Sequence, residues 1–165
     1  MDIEVLITGG TFDKEYDERT GELYFNGTHL HEILKSGKID LKLKIKTLMM
    51  IDSRDMNDST REIILKYCHK TRGNKIVITH GTDTMVKTAQ YLAKSIKNKT
   101  VVLTGAMKPY KFSNSDGIFN IGTALSFVQT LPSGVYIAMH GKYFNWDNVR
   151  KNRAIGRFEE LRKDR

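Results

Sequence analysis

The chain has 165 residues, one cysteine (Cys68) and a formal net charge of +8. This length is typical of one domain with a substantial core, and a lone cysteine excludes an internal disulfide. Because no apolar stretch approaches membrane-spanning length, the sequence predicts a single soluble domain over residues 1–165, located in the cytoplasm. Nucleic-acid binding is not favoured, because the lysines are scattered and acidic residues interrupt the basic C-terminal segment.

Short apolar runs alternate with helical patterns along the chain. The runs lie at residues 3–7, 41–47, 76–79, 101–103 and 135–139, and the first two helical patterns lie near 30–34 and 63–68. Two longer helical patterns cover 85–96 and 118–128, where Ile118 is expected on the core face with Ile121. This alternation predicts an α/β domain with a mostly parallel sheet and helices on both faces. Lysines alternate with apolar residues in 41–47, which predicts a half-exposed edge strand.

The segment 12–28 is polar and lacks a clear period. Two interpretations fit it: a mobile loop beside an active site, or a small hairpin that turns at residues 18–22. Its aromatic residues include Tyr16 and Tyr24, and both interpretations stay open at this point.

Several polar or small residues lie just beyond predicted strand ends, where ligands bind in open α/β sheets. They are Thr11, Ser53, Thr82, Asp83, Ala106 and Lys151. Helix capping explains each hydroxyl or carboxylate separately. It does not explain why glycines repeatedly open space beside hydroxyls, so the pattern favours a binding or catalytic site.

Four motifs follow the strands in order: TGGT at 8–11, SRDMND at 53–58, HGTDTM at 80–85 and TGAMKP at 104–109, with a looser match, DNVRK, at 147–151. Together they resemble the asparaginase/glutaminase type I–II amidohydrolases over almost the whole chain. The resemblance implies the flavodoxin-like N-terminal α/β domain of that family. It also implies hydrolysis of the side-chain amide of L-asparagine or a related small amide, without a metal or other cofactor.

The resemblance further implies catalytic roles. Thr11 matches the nucleophile, and Tyr24, with Tyr16 as its rival, matches a tyrosine that assists it. The family's second triad is matched by Thr82, Asp83 and Lys151. A threonine hydroxyl needs help with deprotonation; Lys151 is the expected proton acceptor, and Asp83 would orient it.

Substrate-binding roles are implied at Ser53, Arg54, Thr82, Asp83 and Ala106. Ser53 and Asp83 would hold the α-carboxylate and α-amino groups, and backbone around Ala106 would receive the amide. Arg54 stands where the family usually has glutamine, so it would either strengthen carboxylate binding or block the pocket.

Family members are about twice as long, and their second domain helps to bind the substrate's amino group in a neighbouring subunit. Without it, we expect weaker recognition of that group and a shift towards des-amino monoamides such as succinamic acid. The uncovered surface predicts a homo-oligomer, with Phe144 and Trp146 as candidate contacts and ordinary core packing of these two residues as the equal alternative. The alternative hypothesis is a weak or inactive binding or regulatory module that needs a separate second-domain partner.

Overall fold

The computed structural model describes residues 2–162, and this part of the chain contains ten strands and four helices. The strands are β1 (Ile3–Gly9), β2 (Lys14–Asp17), β3 (Glu22–Phe25), β4 (Leu43–Ile51), β5 (Lys75–Thr79), β6 (Thr100–Thr104), β7 (Gly134–Met139), β8 (Lys142–Asn145), β9 (Arg150–Asn152) and β10 (Arg157–Glu159). The helices are α1 (Leu30–Ser36), α2 (Asp58–Lys70), α3 (Met85–Ala93) and α4 (Gly117–Thr130). Short 3₁₀ turns follow β1 and β4, at Thr11–Asp13 and Ser53–Asp55. Residues 1 and 163–165 lie outside the described part, and the single domain over 1–165 stays a prediction.

Six strands form the central sheet in the order β4-β1-β5-β6-β7-β8. The first five are parallel, and β8 joins β7 in antiparallel fashion. Counted along the chain, the parallel strands have the order 2-1-3-4-5, which is the flavodoxin-like arrangement. The predicted fold class is therefore confirmed. In this arrangement the strand order reverses between β1 and β5, and ligands bind at the carboxyl ends beside such a reversal.

Apolar side chains cover both faces of the sheet, as the sequence predicted. On one face, α2 and α3 bury residues such as Ile64, Met85 and Leu92. On the other, α1 and α4 bury residues such as Ile33 and Ile121. The strands supply β-branched side chains to both layers, because successive residues of a strand point to opposite faces.

Cys68 lies in the first of these layers, as predicted for a buried filler residue, and its side chain has no exposure. Burial raises the pKa of its thiol to about 12. The thiol is therefore protonated at neutral pH and belongs to the packing of the core rather than to any site chemistry.

Three details differ from the sequence interpretation or decide between its alternatives. The segment 12–28 forms the β2–β3 hairpin, whose turn includes Gly21 at φ 74°. Ile118 is 44% exposed because the buried face of α4 carries Gly117, Asn120 and Ile121 and leaves Ile118 beside it, so its assignment to the core was wrong. Phe144 is only 3% exposed and packs in the α2–α3 layer, so it is not a surface contact; Trp146 is 38% exposed.

The edge strand was correctly placed but begins and ends later than predicted. β4 spans Leu43–Ile51 and lies at one end of the sheet. Lys44 and Lys46 lie on its exposed face, where charged side chains discourage pairing with another strand. No helix formed by residues 2–162 is long and apolar enough to cross a membrane.

Candidate active site

Glycines bring the carboxyl ends of β1, β4 and β5 into direct backbone contact. Gly10 has φ 86°, and a Cβ there would overlap the backbone of Gly81. A Cβ at Gly81 would in turn lie 2.6 Å from the hydroxyl of Ser53. Only glycine fits such contacts. Thr11 and Thr82 directly follow the two glycines, so both hydroxyl residues lie at the reversal between β1 and β5.

Lys151 joins Thr82 and Asp83 in one hydrogen-bonded cluster. Its Nζ donates to Thr82 Oγ1 over 2.7 Å and to Asp83 Oδ1 over 2.8 Å. The Lys151 side chain is 13% exposed and that of Asp83 is 27% exposed. Lys151 lies opposite the buried Phe158 in the β9–β10 hairpin, so both side chains point towards the core. A hydroxyl, a lysine amine and an orienting carboxylate in hydrogen-bond contact are an arrangement that activates a hydroxyl or a water molecule.

Two further cations reach the same edge of the sheet. The guanidinium of Arg54 donates to both oxygens of Asp52, over 3.0 and 2.9 Å, and its Nε lies 4.0 Å from Asp83 Oδ2. Lys14 also pairs with Asp52. Hydrogen bonds from Arg54, assisted by Lys14, hold the pKa of Asp52 well below its usual range. Arg54 is thus fixed by an internal carboxylate, which leaves only part of its donor fork for a ligand.

Ser53 is almost fully buried behind this group. Its hydroxyl accepts the backbone N–H of Thr84 over 3.3 Å, and its carbonyl accepts the Thr84 hydroxyl over 2.6 Å. These bonds tie the turn after β4 to the turn after β5. Ser53 therefore helps to hold the Thr82–Asp83 turn in place.

The structure does not bring Thr11 and Tyr24 into hydrogen-bond contact. Thr11 is partly exposed, and its hydroxyl makes no hydrogen bond within residues 2–162. Tyr24 lies on β3, and its hydroxyl donates to Glu15 over 3.3 Å. Partial desolvation and the nearby Glu15 raise the pKa of Tyr24, which keeps it a neutral donor at pH 7. Tyr16, the rival candidate, is 51% exposed and packs edge-on against Phe112.

A buried chain of hydrogen bonds beneath Thr82 was not predicted from the sequence. Arg61 Nε donates to Thr88 Oγ1 over 3.1 Å, and Thr88 Oγ1 lies 2.8 Å from His80 Nε2. His80 Nδ1 lies 2.7 Å from the carbonyl oxygen of Gly81. Since the Gly81 carbonyl can only accept, Nδ1 carries the proton, and Nε2 of the neutral imidazole then accepts the hydroxyl proton of Thr88. These hydrogen bonds fix the orientation of the peptide group between Gly81 and Thr82.

A second buried group, also missed, holds the turn after β6. Asn120 Nδ2 donates to the carbonyl of Gly105 over 2.9 Å and to Asp116 over 2.8 Å, and its Oδ1 accepts the N–H of His140. Asp116 accepts the N–H of Met107. Ala106 is buried between these contacts. One feature of the sequence pointed to this group, namely that the polar residue Asn120 lies on the apolar face of α4.

These features define an α/β protein with a threonine–aspartate–lysine cluster at the reversal of its strand order. Residues 2–159 match the family model described as "Asparaginase, N-terminal", so the chain belongs to the asparaginase family. L-asparaginase 2 of Escherichia coli K12 is 35% identical over 161 residues, which cover 90% of this chain and 46% of that protein. A glutamyl-tRNA(Gln) amidotransferase component from Pyrococcus furiosus is 33% identical over 150 residues, covering 85% of this chain and 34% of that protein.

Solved structures give the same result. The thermostable L-asparaginase from Thermococcus kodakarensis matches with a TM-score of 0.87 and 30% identity, over 99% of this chain and 52% of that one. The resemblance drawn from the four motifs is therefore confirmed. The chain spans about half the length of these two asparaginases.

His80 makes the stability of the fold depend on pH in a defined range. Burial lowers the pKa of His80 from 6.5 to about 4. The unfolded chain therefore binds a proton below pH 6.5 that the folded chain does not, so stability is complete above that pH and falls as the pH drops towards 4. Between pH 7 and pH 5 this costs about 2 kcal/mol.

Urea unfolding at several pH values checks this expectation. His80→Asn removes the titrating group, so its free energy of unfolding should vary less between pH 7 and pH 5 than that of the wild type. His69→Asn, at an exposed position of α2, should keep the wild-type dependence. An unchanged pH dependence in His80→Asn would show that other groups cause it.

Proposed function

We propose that this protein hydrolyses the side-chain amide of L-asparagine or a related small amide to the acid and ammonia, with a threonine nucleophile. The observation that carries the proposal is the contact of Lys151 with both Thr82 and Asp83. A module that only binds a ligand has no need for a lysine amine on a threonine hydroxyl. Membership of the asparaginase family supports the same reaction.

In this proposal the Thr11 hydroxyl attacks the amide carbon, and a C–O bond forms as the carbonyl oxygen becomes an oxyanion. Backbone N–H groups at the glycine turns stabilise that charge. Thr82 and Lys151 accept and return protons, Asp83 orients the lysine, and Tyr24 assists Thr11. Collapse of the intermediate breaks the C–N bond and releases ammonia, and water then hydrolyses the ester on Thr11. The partial exposure of Thr11 and its lack of a hydrogen-bond partner within residues 2–162 are compatible with a hydroxyl that waits for substrate.

For substrate binding, we assign Ser53 and the donors of Arg54 not used by Asp52 to a carboxylate. The backbone at Ala106 would accept the amide, and Thr82 would contact the reacting group. No metal or cofactor has a role in this reaction. The predicted cytoplasmic location stays a prediction.

A second candidate is a binding or regulatory module that acts with a separate partner domain. It is compatible with a match that covers about half the length of the asparaginases. A relative is also named as one component of an amidotransferase. The ammonia-release assay described below, on the full chain without a partner, separates the two candidates.

The two threonines can be distinguished by substitution. Thr11→Val keeps the side-chain volume but removes the hydroxyl, so ammonia release from a panel of small amides should fall at least about a hundredfold. If Thr11 is the nucleophile, the acid-quenched wild type should carry the acyl group on the peptide that contains Thr11, as seen by mass spectrometry.

Thr82→Val should also lose activity, because the Lys151 bond disappears, but its acyl group should still map to Thr11. Thr130→Val, at the end of α4 that leads to the amino end of β7, is the matched control and should stay near wild type. Acylation found on Thr82 would reassign the nucleophile. Full activity of Thr11→Val would also show that Thr11 is not the nucleophile.

We also propose that the protein forms a homo-oligomer. Exposed apolar side chains on α4 and β8, among them Phe119 at 61% and Tyr143 at 44%, are the candidate surface in place of Phe144. Sedimentation velocity at micromolar concentration should show a species larger than the 18.9 kDa chain. Phe119→Ser should reduce it, whereas Ile155→Ser, on the β9–β10 turn, should not. A monomer at all concentrations would contradict the prediction.

A further inference from the structure

Two carboxylates beside the reversal of strand order, those of Asp52 and Asp83, are already paired with cations of this chain. Asp52 holds Arg54 and Lys14. Asp83 Oδ1 holds Lys151 over 2.8 Å and Arg153 over 3.3 Å. The remaining oxygen, Asp83 Oδ2, lies 4.0 Å from Arg54 Nε. An incoming ammonium group would find neither of these two carboxylates free of a positive neighbour.

Arg153 reaches Asp83 because of the local geometry of the hairpin. It is the first residue after β9, in the turn of the β9–β10 hairpin, and its guanidinium lies 3.3 Å from the same Asp83 oxygen that Lys151 contacts. The intervening Asn152 and the earlier Arg150 point the other way, where both bind Glu159. The backbone at Arg153 is also held, since Asn152 Oδ1 accepts the N–H of Ala154 over 3.1 Å.

These contacts have opposite effects on the two charged groups of an amino-acid amide. A substrate carboxylate gains from the guanidinium groups of Arg54 and Arg153 together. An α-ammonium at hydrogen-bond distance from Asp83 would lie within a few ångströms of the same two guanidinium groups, which weakens its attraction to the carboxylate. The effect of Arg153 is moderated by solvent, because its side chain is 69% exposed.

We propose that Arg153 determines specificity, by occupying Asp83 so that the site prefers an amide that carries a carboxylate but no ammonium group. This inference rests on the proposed amide hydrolysis and names its substrate class. The sequence also predicted a shift in specificity towards des-amino monoamides, but that prediction depended on Arg54 and on the second domain of the longer family members. The ion pair between Arg153 and Asp83 is a separate, local reason for it.

The test compares kcat/KM for succinamate and L-asparagine, which differ only in the α-ammonium, by ammonia release from the full chain. The wild type should prefer succinamate. Arg153→Gln removes the charge and should raise asparagine hydrolysis relative to succinamate by about three- to fivefold, mainly through KM. Arg157→Gln, an exposed arginine on the same hairpin, is the matched control and should leave the ratio within about twofold.

Binding of the acid products gives the same comparison without turnover. In titration calorimetry, succinate should bind the wild type more tightly than L-aspartate, and Arg153→Gln should narrow the difference. A wild type that prefers asparagine, or a ratio unchanged by Arg153→Gln, overturns this inference alone. If neither amide is hydrolysed but the binding preference and its loss are observed, the specificity role of Arg153 stands and the proposed hydrolysis falls.

Discussion

The contact between the backbones of Gly10 and Gly81 is the constraint on which the rest of the site depends. It brings two turns, separated by about seventy residues of chain, within van der Waals distance at the point where the strand order reverses. A side chain on either glycine would push the turns apart. Thr11 and Thr82 take their places from this contact, and Ser53 closes the third side. The cations then gather around carboxylates whose backbone is already fixed.

Two buried polar groups make that geometry rigid. His80, held by Thr88 and Arg61, fixes the carbonyl of Gly81, and Asn120 fixes the carbonyl of Gly105. In a low-dielectric interior each of these groups must be fully hydrogen-bonded, and each bond can form only in one arrangement of the turns. The site is therefore specified by the polar interior of the domain as much as by the loops that carry its hydroxyls.

Most of the fold could be predicted from the sequence, because the apolar runs are short, β-branched and followed by glycine. The cluster of Thr82, Asp83 and Lys151 came from motifs, and the structure adds the distances. The contacts that escaped prediction join residues far apart in sequence. Nothing local in the sequence pairs Arg61 with Thr88, or Arg153 with Asp83. Ile118 was misplaced because the period of a helix does not fix how far its buried face extends. For Phe144 the sequence left surface contact and core packing open, and the layer that covers β8 decided for core packing.

Lys151 reaches the site on the β9–β10 hairpin, which is not hydrogen-bonded into the central sheet. The hairpin is attached to the domain chiefly through Phe158 and Val149, and through the ion pairs of Asp83. A two-stranded unit with so few buried anchors can detach locally at a lower free energy than the parallel sheet beneath it can unfold. Heating would then separate the Lys151 amine from the Thr82 hydroxyl while the sheet is still intact, so the cluster would come apart at a lower temperature than the fold.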